Sequence, residues 1–284
     1  MTIRQDALSI KKINGTDEAE LAIIQNQIIE NVERSAISAM LKNKELSGNP
    51  QAGSMEVKRY ANALSQAYGT ARAAGAGNNV KEDKVIVFLD KDREIVEELA
   101  KKDVDAIGVP AMIEKRAGNQ TKSLIRELDR SFFAEAVAGG SEFTPGVGVT
   151  ALGEQISDMS VALQETLNNF VDGVDLEDLR LVLSVSSHKA LKSEILALES
   201  SHLTTADGAI GLYDGLPVYV SNRLPAGVKA ILMVRDSVAQ PVLFQELKVE
   251  TIPFSVDTAV GNYYTYGTKA VTPDLIKYLG TPTP

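Results

Sequence analysis

Three adjacent residues, Ser186, Ser187 and His188, are the first candidates for catalysis, because a serine hydroxyl beside an imidazole can become an activated nucleophile. A serine triad requires the imidazole to face the nucleophile and a carboxylate to orient the imidazole. Neighbours on a strand-to-helix turn do not usually point at one another, and the chain has no Gly-x-Ser-x-Gly motif. The pattern therefore predicts that Ser187 caps the following helix and does not act in catalysis.

Patterns for binding phosphate or metal are equally weak. Gly75 and Gly77 lack the preceding apolar strand and the third glycine of a dinucleotide-binding motif, and no P-loop sequence occurs. Without cysteine and with only 2 histidines, a metal site would have to use carboxylates. The acidic residues within 172–178 lack the ligand spacing of a calcium loop and are predicted to be solvated. Neither an enzymatic function nor a cofactor or metal is therefore predicted.

The composition is that of an ordinary globular protein, with 284 residues of which 44% are hydrophobic and 24% charged. The net charge of −9 argues against a protein whose main function is to bind nucleic acid tightly, because tight binding needs clustered lysine and arginine. The absence of cysteine fits a reducing compartment. Because no segment resembles a signal peptide or a membrane span of ~20 apolar residues, neither export nor membrane insertion is expected.

Residues 17–43 are predicted to form a helix with an apolar stripe that includes Leu21, Ile24 and Ile28. This stripe could pack on the chain's own core, or the helix could be an arm that packs on a neighbouring subunit. The Gly-, Asn- and Pro-containing break at 47–54 favours the arm, because it would let the helix swing away.

A long hairpin is predicted to follow the break. Residues 57–68 are polar with weak alternation, whereas residues 85–89 (VIVFL) have the β-branched and aromatic composition of a strand. The tip between them carries too few large apolar groups to bury itself. The hairpin is therefore either flexible or ordered by a partner, and ordering by a partner is the favoured interpretation. The tip residues are Ala73, Gly75, Gly77, Asn78 and Asn79.

Two helices are predicted after a charge-dense segment at 93–102, which is interpreted as a solvated surface. The first covers 111–138, with Pro110 just before or at its start, and ends at a Gly-Gly pair. The second covers 152–170, and a hinge at 172–175 would lead into another lobe.

The remaining chain is predicted to be mostly strands, at 181–185, 210–213, 216–220, 228–234, 242–252 and 263–271, with a short final turn at 275–279. Asp214 and Gly215 lie between two of these strands and are a strong signal for a tight hairpin.

The order of these elements resembles the major capsid proteins of tailed bacteriophages, which have the Hong Kong 97-type fold. The closest local similarity is the segment GLYDGLPVYVSNRLP, because such proteins often carry a Gly-x-Pro-Val strand followed by a polar Ser-Asn-x-Leu-Pro turn. The matching positions are Gly215, Pro217, Val218, Ser221, Asn222, Leu224 and Pro225. The segment LVLSVSSHKAL looks like the strand and helix that open the same lobe.

The resemblance implies an α+β fold with an N-arm, an extended β-hairpin loop, a long spine helix, a peripheral domain and an axial domain. The implied boundaries are 1–53 for the arm, 54–95 for the extended loop, 96–172 with 241–284 for the peripheral domain, and 173–240 for the axial domain. The spine helix is the helix predicted at 111–138.

The function implied by the resemblance is that of a structural subunit. Such subunits self-assemble as pentamers and hexamers into the icosahedral shell of a tailed phage head, which encloses double-stranded DNA. The implied partners are other copies of the chain, a separate scaffold protein, portal and head-completion proteins, and DNA that is packaged without tight sequence-specific binding. The implied location is the virion, after assembly through a procapsid in the host cytoplasm.

The residues that the resemblance implies for assembly are the extended-loop tip, Leu21, Ile24 and Ile28 of the N-arm helix, and Pro217, Ser221, Asn222 and Pro225 of the axial domain. Some members of the family form a lysine–asparagine cross-link between subunits. The extended loop contains Lys58, Lys81 and Lys84, but no local motif identifies a partner, and no cross-link is predicted.

Three alternatives stay open. An encapsulin-like shell that encloses a cargo enzyme would share the fold. A structural protein of a virion or a secretion tube would form tubes or rings. An enzyme with an unrecognised active site would show a single deep pocket with converging groups of perturbed pKa.

Overall fold

The computed structural model describes residues 12–13, 16–62, 67–69, 82–101, 109–197, 211–245, 247–255 and 257–283. The chain divides into two compact units. The first unit combines residues 1–40, 89–128 and 242–267, and the second combines residues 41–88, 129–241 and 268–284.

The helices of the described residues are α1 (Glu18–Ser35), α2 (Ile37–Leu41), α3 (Val109–Gly139), α4 (Leu152–Gln164) and α5 (Val185–Ala197). The strands are β1 (Lys12–Ile13), β2 (Thr16–Asp17), β3 (Ser54–Tyr60), β4 (Glu82–Phe88), β5 (Lys91–Leu99), β6 (Ser141–Glu142), β7 (Leu179–Ser184), β8 (Gly211–Tyr213), β9 (Leu216–Ser221), β10 (Ala230–Val234), β11 (Val238–Ala239), β12 (Val242–Phe244), β13 (Lys248–Thr251), β14 (Thr258–Tyr266), β15 (Lys269–Ala270) and β16 (Ile276–Leu279). The mixture of helices and sheets confirms the predicted α+β class.

Strand β14 is the centre of the sheet in the first unit. It pairs antiparallel with β5 along its whole length, from Thr258 opposite Leu99 to Tyr266 opposite Lys91. Its other edge pairs with β12 and then with β13. The prediction of single strands at 242–252 and 263–271 was therefore wrong in its boundaries. The chain leaves the ladder after β12, and the side chain of Gln25 in α1 bonds the interrupted backbone at Gln245 and Leu247.

Strand β5 lies where a solvated charged surface was predicted. Its residues alternate, so that Ile95, Glu97 and Leu99 are at least partly buried while Glu94 and Glu98 are exposed. Glu97 accepts hydrogen bonds from Arg116 Nε and Nη2 at 3.0 and 2.9 Å. The surface prediction is thus right for one face of the segment. The strand was not recognised because charged residues also occupy its inner face.

The apolar stripe of α1 packs on the core of the first unit. Ile24, Ile28 and Val32 are 7%, 1% and 3% exposed and belong to one cluster with Leu124 and Leu128 of α3. The predicted helix at 17–43 is confirmed as two helices, α1 and α2, which are separated at Ala36. The stripe therefore follows the first of its two interpretations, packing on the chain's own core.

The second unit contains a six-stranded mixed sheet with the strand order β6-β16-β10-β7-β9-β8. Strand β7 lies between antiparallel β10 and parallel β9, and three consecutive residues, Leu181, Val182 and Leu183, are 0% exposed. Helices α4 and α5 share a core cluster with β7 through Ile156, Met159 and Leu191. The predicted final turn at 275–279 was wrong for residues 276–279, which form strand β16 beside β10.

Helix α3 confirms the predicted long helix, with 31 residues from Val109 to Gly139. At 1.5 Å per residue its length is about 46 Å. A Cβ at Gly140, which follows the helix, would lie 2.7 Å from the carbonyl oxygen of Ala136 and 2.8 Å from Ile276 Cγ2. Glycine therefore allows the helix end to approach β16 closely.

The helix predicted at 152–170 was too long, because α4 ends at Gln164. Beyond it, the side-chain oxygen of Asn168 accepts hydrogen bonds from the backbone N–H groups of Phe170 and Val171, both at 2.8 Å. Asparagine favours such local bonds over a helix. Leu167 is at helical spacing from Leu163, but it is 72% exposed and is not part of the stripe.

The start of α5 corrects the predicted cap. Ser184, not Ser187, precedes the helix, and its hydroxyl oxygen accepts a hydrogen bond from the backbone N–H of Ser187 at 3.2 Å. This is the bond that an N-cap side chain makes to the third helical residue. The Asp214-Gly215 hairpin is confirmed: both residues have positive φ, 49° and 79°, and join antiparallel β8 and β9.

Strands β3 and β4 confirm that residues 54–88 contain an antiparallel hairpin, from Ser54 opposite Phe88 to Tyr60 opposite Glu82. Val57 and Val87 are 2% and 1% exposed and pack against Ala239 and Val271. The predicted tip residues, Ala73, Gly75, Gly77, Asn78 and Asn79, lie outside the described residues.

We expect Leu128→Ala to destabilise the unassembled chain by about 2–5 kcal/mol, because it removes a side chain that is 3% exposed from the core of the first unit. Chemical denaturation monitored by circular dichroism measures this free energy of unfolding. The control is Val161→Ala on α4, where the side chain is 49% exposed and the change should stay within about 0.5 kcal/mol. Equal losses for the two variants would contradict the burial of Leu128.

Candidate assembly surfaces

The axial motif lies on β9 and on the turn that follows it. Pro217 is opposite Leu212 in the β8–β9 hairpin, before the segment of β9 that pairs with β7. Ser221 ends the strand, and its hydroxyl oxygen accepts a hydrogen bond from the backbone N–H of Arg223 at 3.1 Å. The motif thus consists of a strand and an ordered turn, and its residues do not all meet at one place.

An ion pair joins this turn to helix α3 within the second unit. The guanidinium of Arg223 donates from Nη1 to Oδ2 of Asp129. The carboxylate of Asp129 is 0% exposed, and the side chain of Arg223 is 24% exposed. A buried carboxylate is costly unless it is paired, so Arg223 compensates a charge that the helix places inside the unit.

A groove of about 630 Å³ lies beside the same turn. Three of the four predicted axial residues, Ser221, Asn222 and Pro225, line it together with the start of α5 and two lysines, Lys189 and Lys229. The hydroxyl of Ser184 is 2.8 Å from that of Ser187 and 3.1 Å from that of Ser186. These serines therefore bond to one another at the beginning of a helix.

The predicted residues of the N-arm helix are mostly turned inward. Ile24 and Ile28 are in the core of the first unit, whereas Ile23 is 58% exposed on the same helix. Leu21 belongs to α1. The buried pair contacts its own chain in this structure, whereas Ile23 leaves an apolar side chain of α1 in water.

One face of the β3–β4 hairpin carries exposed apolar and charged side chains. Tyr60, Ile86 and Phe88 are 55%, 49% and 63% exposed. On the same face, Lys58 and Lys84 lie 3.3–3.9 Å from the carboxylates of Glu56 and Glu82. The hydrogen bond from Lys84 lowers the pKa of Glu82, and the bond to Glu82 raises the pKa of Lys84. The face therefore presents apolar groups around alternating charges.

A polar cluster holds the C-terminal end of β3 within the second unit. Arg59 donates from Nη2 to Oδ2 of Asp274 at 2.5 Å, and Asn168 Nδ2 donates to the same oxygen. The Arg59 guanidinium also lies 4.5 Å from the ring centroid of Phe170. Beyond β3, the backbone N–H of Asn62 donates to the carbonyl oxygen of Asn169 at 3.0 Å.

The cluster shifts the ionisation of Asp274. Burial alone would raise the pKa of this carboxyl, but hydrogen bonds from Arg59 and Asn168, with the charge of Arg59, outweigh burial and lower the pKa. Arg59 and Asp274 are 13% and 25% exposed, so water screens the pair only partly.

Sequence reasoning missed the Arg59–Asp274 and Asp129–Arg223 pairs, because their members are 215 and 94 residues apart in the chain. Within the described ranges, no group of three or more His, Asp or Glu side chains is arranged to hold a metal ion. Among the described residues, no helix is at once long enough and apolar enough to cross a membrane.

No family model and no curated protein matches the chain. Solved structures do match it in fold. A structure of Mycobacterium phage Che8 is 17% identical and covers 86% of this chain and 91% of its own, with a TM-score of 0.62. The capsid structure of Cyanophage P-SCSP1u is 15% identical and covers 88% and 89%, with a TM-score of 0.62.

A third match has a different source. The crystal structure of a virus-like particle from Pyrococcus furiosus is 13% identical and covers 91% of this chain and 98% of that chain, with a TM-score of 0.53. The three matches each extend over most of both chains, so the likeness concerns the whole arrangement of elements. The chain therefore has the fold of the tailed-phage major capsid proteins, the Hong Kong 97-type fold.

Proposed function

We propose that the chain is the structural subunit of a tailed-phage head, an icosahedral shell of pentamers and hexamers that encloses double-stranded DNA. The observation that carries the proposal is the fold match to the Cyanophage P-SCSP1u capsid, which covers 88% of this chain. A shell needs many repeated contacts between copies of one subunit, and modest contacts sum to a stable assembly because symmetry repeats them.

The exposed face of the β3–β4 hairpin supports this function. Ile86 and Phe88 leave apolar area in water that a contact with another copy would bury. The lysines and glutamates beside them can set the register of that contact, because like charges placed together are unfavourable. The hairpin face therefore combines exposed apolar groups with charges of both signs, a mixture that protein–protein interfaces also contain.

The proposal includes the chain organisation and the partners that the sequence resemblance implies. The division is an N-arm, an extended loop, a peripheral domain and an axial domain with the boundaries given above. The partners are other copies of the chain, a separate scaffold protein, portal and head-completion proteins, and packaged DNA. The net charge of −9 suits a container whose lining holds DNA without tight binding. The location is the virion, and assembly takes place in the host cytoplasm.

A second candidate is an encapsulin-like shell that encloses a cargo protein. The observation in its favour is the match to the virus-like particle from Pyrococcus furiosus, of which 98% is covered. The two candidates predict the same kind of shell with different contents. An enzyme remains the candidate of another class, and it would require a concentrated site of converging groups.

The first experiment is electron microscopy of the full chain, expressed with and without its neighbouring genes. We expect closed particles of uniform diameter that contain DNA when the neighbouring genes are present. Particles filled with one protein would favour the encapsulin-like shell. Tubes, rings or a persistent monomer under all conditions would contradict the shell function.

Deletion of residues 73–79 should leave the subunit folded and impair assembly. The reason is that a polar Gly- and Asn-containing segment contributes little to a core, whereas the extended loop is proposed to lie on a neighbouring subunit. Thermal unfolding tests the fold, and sedimentation with electron microscopy tests assembly. Normal shells from the deletion variant would show that the tip has no role in assembly.

Asp274→Asn should make the stability of the unassembled chain less dependent on pH in acid. The folded-state pKa of Asp274 lies below its ordinary value of 3.8, so the pair stabilises the fold fully above that value. This stabilisation is lost as the pH falls through the lower, folded-state pKa. We expect the variant to lose about 2 kcal/mol near pH 6 and less near pH 3, measured by denaturation.

The control for this measurement is Asp90→Asn, which changes an exposed carboxylate outside the cluster. We expect its stability to follow the wild-type chain at both pH values. A constant difference between Asp274→Asn and the wild-type chain from pH 6 to pH 3 would rule out the linked ionisation.

A further inference from the structure

The loop between β13 and β14, described at residues 252–255 and 257, exposes a large aromatic side chain. The relative exposure of Phe254 is 111%, so its ring contacts essentially nothing in its own chain. Burial of aromatic rings gives large favourable free energies, and a fully solvated phenylalanine forgoes that gain. The ring is therefore free to enter a contact outside its own chain.

The backbone of the loop makes the choice of phenylalanine more unusual. The N–H of Ser255 donates to the carbonyl oxygen of Ile252 at 3.0 Å, which closes a β-turn with Pro253 second and Phe254 third. Phe254 has a φ of 61°. Proline followed by a residue of positive φ is the pattern of a type II turn, whose third position favours glycine or asparagine. Phenylalanine is thus placed where local conformational preference disfavours it.

Hydrogen bonds hold the loop in this conformation. One carboxylate oxygen of Asp257 accepts from the backbone N–H of Lys101 at 2.9 Å, and the other accepts from the hydroxyl of Ser255 at 3.0 Å. The N–H of Ile252 donates to the carbonyl oxygen of Asp257 at 3.0 Å. These bonds preorganise the turn, so little conformational entropy would remain to be lost when Phe254 is buried.

We propose that Phe254 is an apolar anchor by which one copy of this chain docks onto the surface of a second copy. A rigid loop that presents one aromatic ring has the character of an interface hot spot, where a few aromatic side chains carry most of the binding energy. The inference rests on the proposed shell function, because a shell surrounds each copy with others.

The charges beside the loop also suit a second copy better than DNA. Lys101 and Glu250 are both exposed next to the loop, so the rim of the contact carries both signs. A polyanion requires clustered positive charge, whereas another copy of this chain displays 29 basic and 38 acidic residues. A mixed rim around an aromatic centre matches a protein surface of this composition.

The test compares three variants of the full chain in assembly assays. Phe254→Asn removes the anchor and places at this position a residue that tolerates positive φ, so the unassembled subunit should keep or raise its melting temperature. We expect the subunit concentration at half-maximal assembly to rise at least tenfold. Phe254→Trp keeps an aromatic ring and should assemble within threefold of the wild-type chain. The matched control is Val147→Asn, because Val147 is equally exposed at 110%.

The outcomes distinguish failure of the Phe254 anchor from failure of the shell function. If the wild-type chain and Phe254→Asn form particles at equal concentrations, the anchor is wrong and the shell function stands. If Val147→Asn is as defective as Phe254→Asn, the effect is not specific and the anchor is also wrong. If the wild-type chain forms no particles under any condition, both the shell function and the anchor fail.

A cross-linking experiment tests the identity of the partner. We expect a photoreactive benzoylphenylalanine at position 254 to form covalent dimers of this chain on irradiation of assembled particles. Mass spectrometry of the cross-linked peptides then locates the receiving surface on the second copy. Adducts only with another protein or with DNA, or no adducts at all, would overturn the proposal.

Discussion

Helix α3 must bury apolar side chains along a large part of its length, and both units depend on it. Leu124 and Leu128 enter the core of the first unit, and Phe132 and Ala136 continue the same spacing of four residues in the second. Most of the stability of this 31-residue helix comes from the tertiary packing of its apolar stripe and not from helix propensity. Within each unit, the stability of this helix therefore depends on the core against which its apolar side chains pack.

The buried carboxylate of Asp129 adds specificity to that packing. It interrupts the apolar stripe of α3, and an unpaired buried carboxylate would cost several kcal/mol. Arg223 pairs with this carboxylate, and its own position is fixed by the bond between its backbone and Ser221. The Ser-Asn-x-Leu-Pro turn thus has a structural role in the second unit, whatever else its groove-lining residues do.

Sequence reasoning worked where one local rule decides the outcome. The long helix follows from spacing between Leu124, Leu128 and Phe132, and the Asp214-Gly215 hairpin follows from residues that tolerate positive φ. It failed where distant partners decide. Strand β5 has charged residues on its inner face and exists because β14 pairs with it, and Arg59 gained its role only from Asp274. Phe254 was missed because local preference argues against that residue in a turn.

The burial of the apolar stripe of α1 removes Ile24 and Ile28 from the residues that could form the proposed assembly surface. Ile24 and Ile28 stabilise the first unit, so they cannot contribute to an interface without the helix leaving its place. Large apolar side chains that remain in water include Ile23 and Val147, and two further groups are on the β3–β4 hairpin and in the loop at Phe254. Both belong to antiparallel hairpins held by polar side chains, Arg59 with Asp274 in one case and Asp257 with Ser255 in the other. In the proposed shell, these groups would be held on ordered turns before a contact with another copy forms. Weak contacts of this kind would sum to a stable assembly because symmetry repeats them.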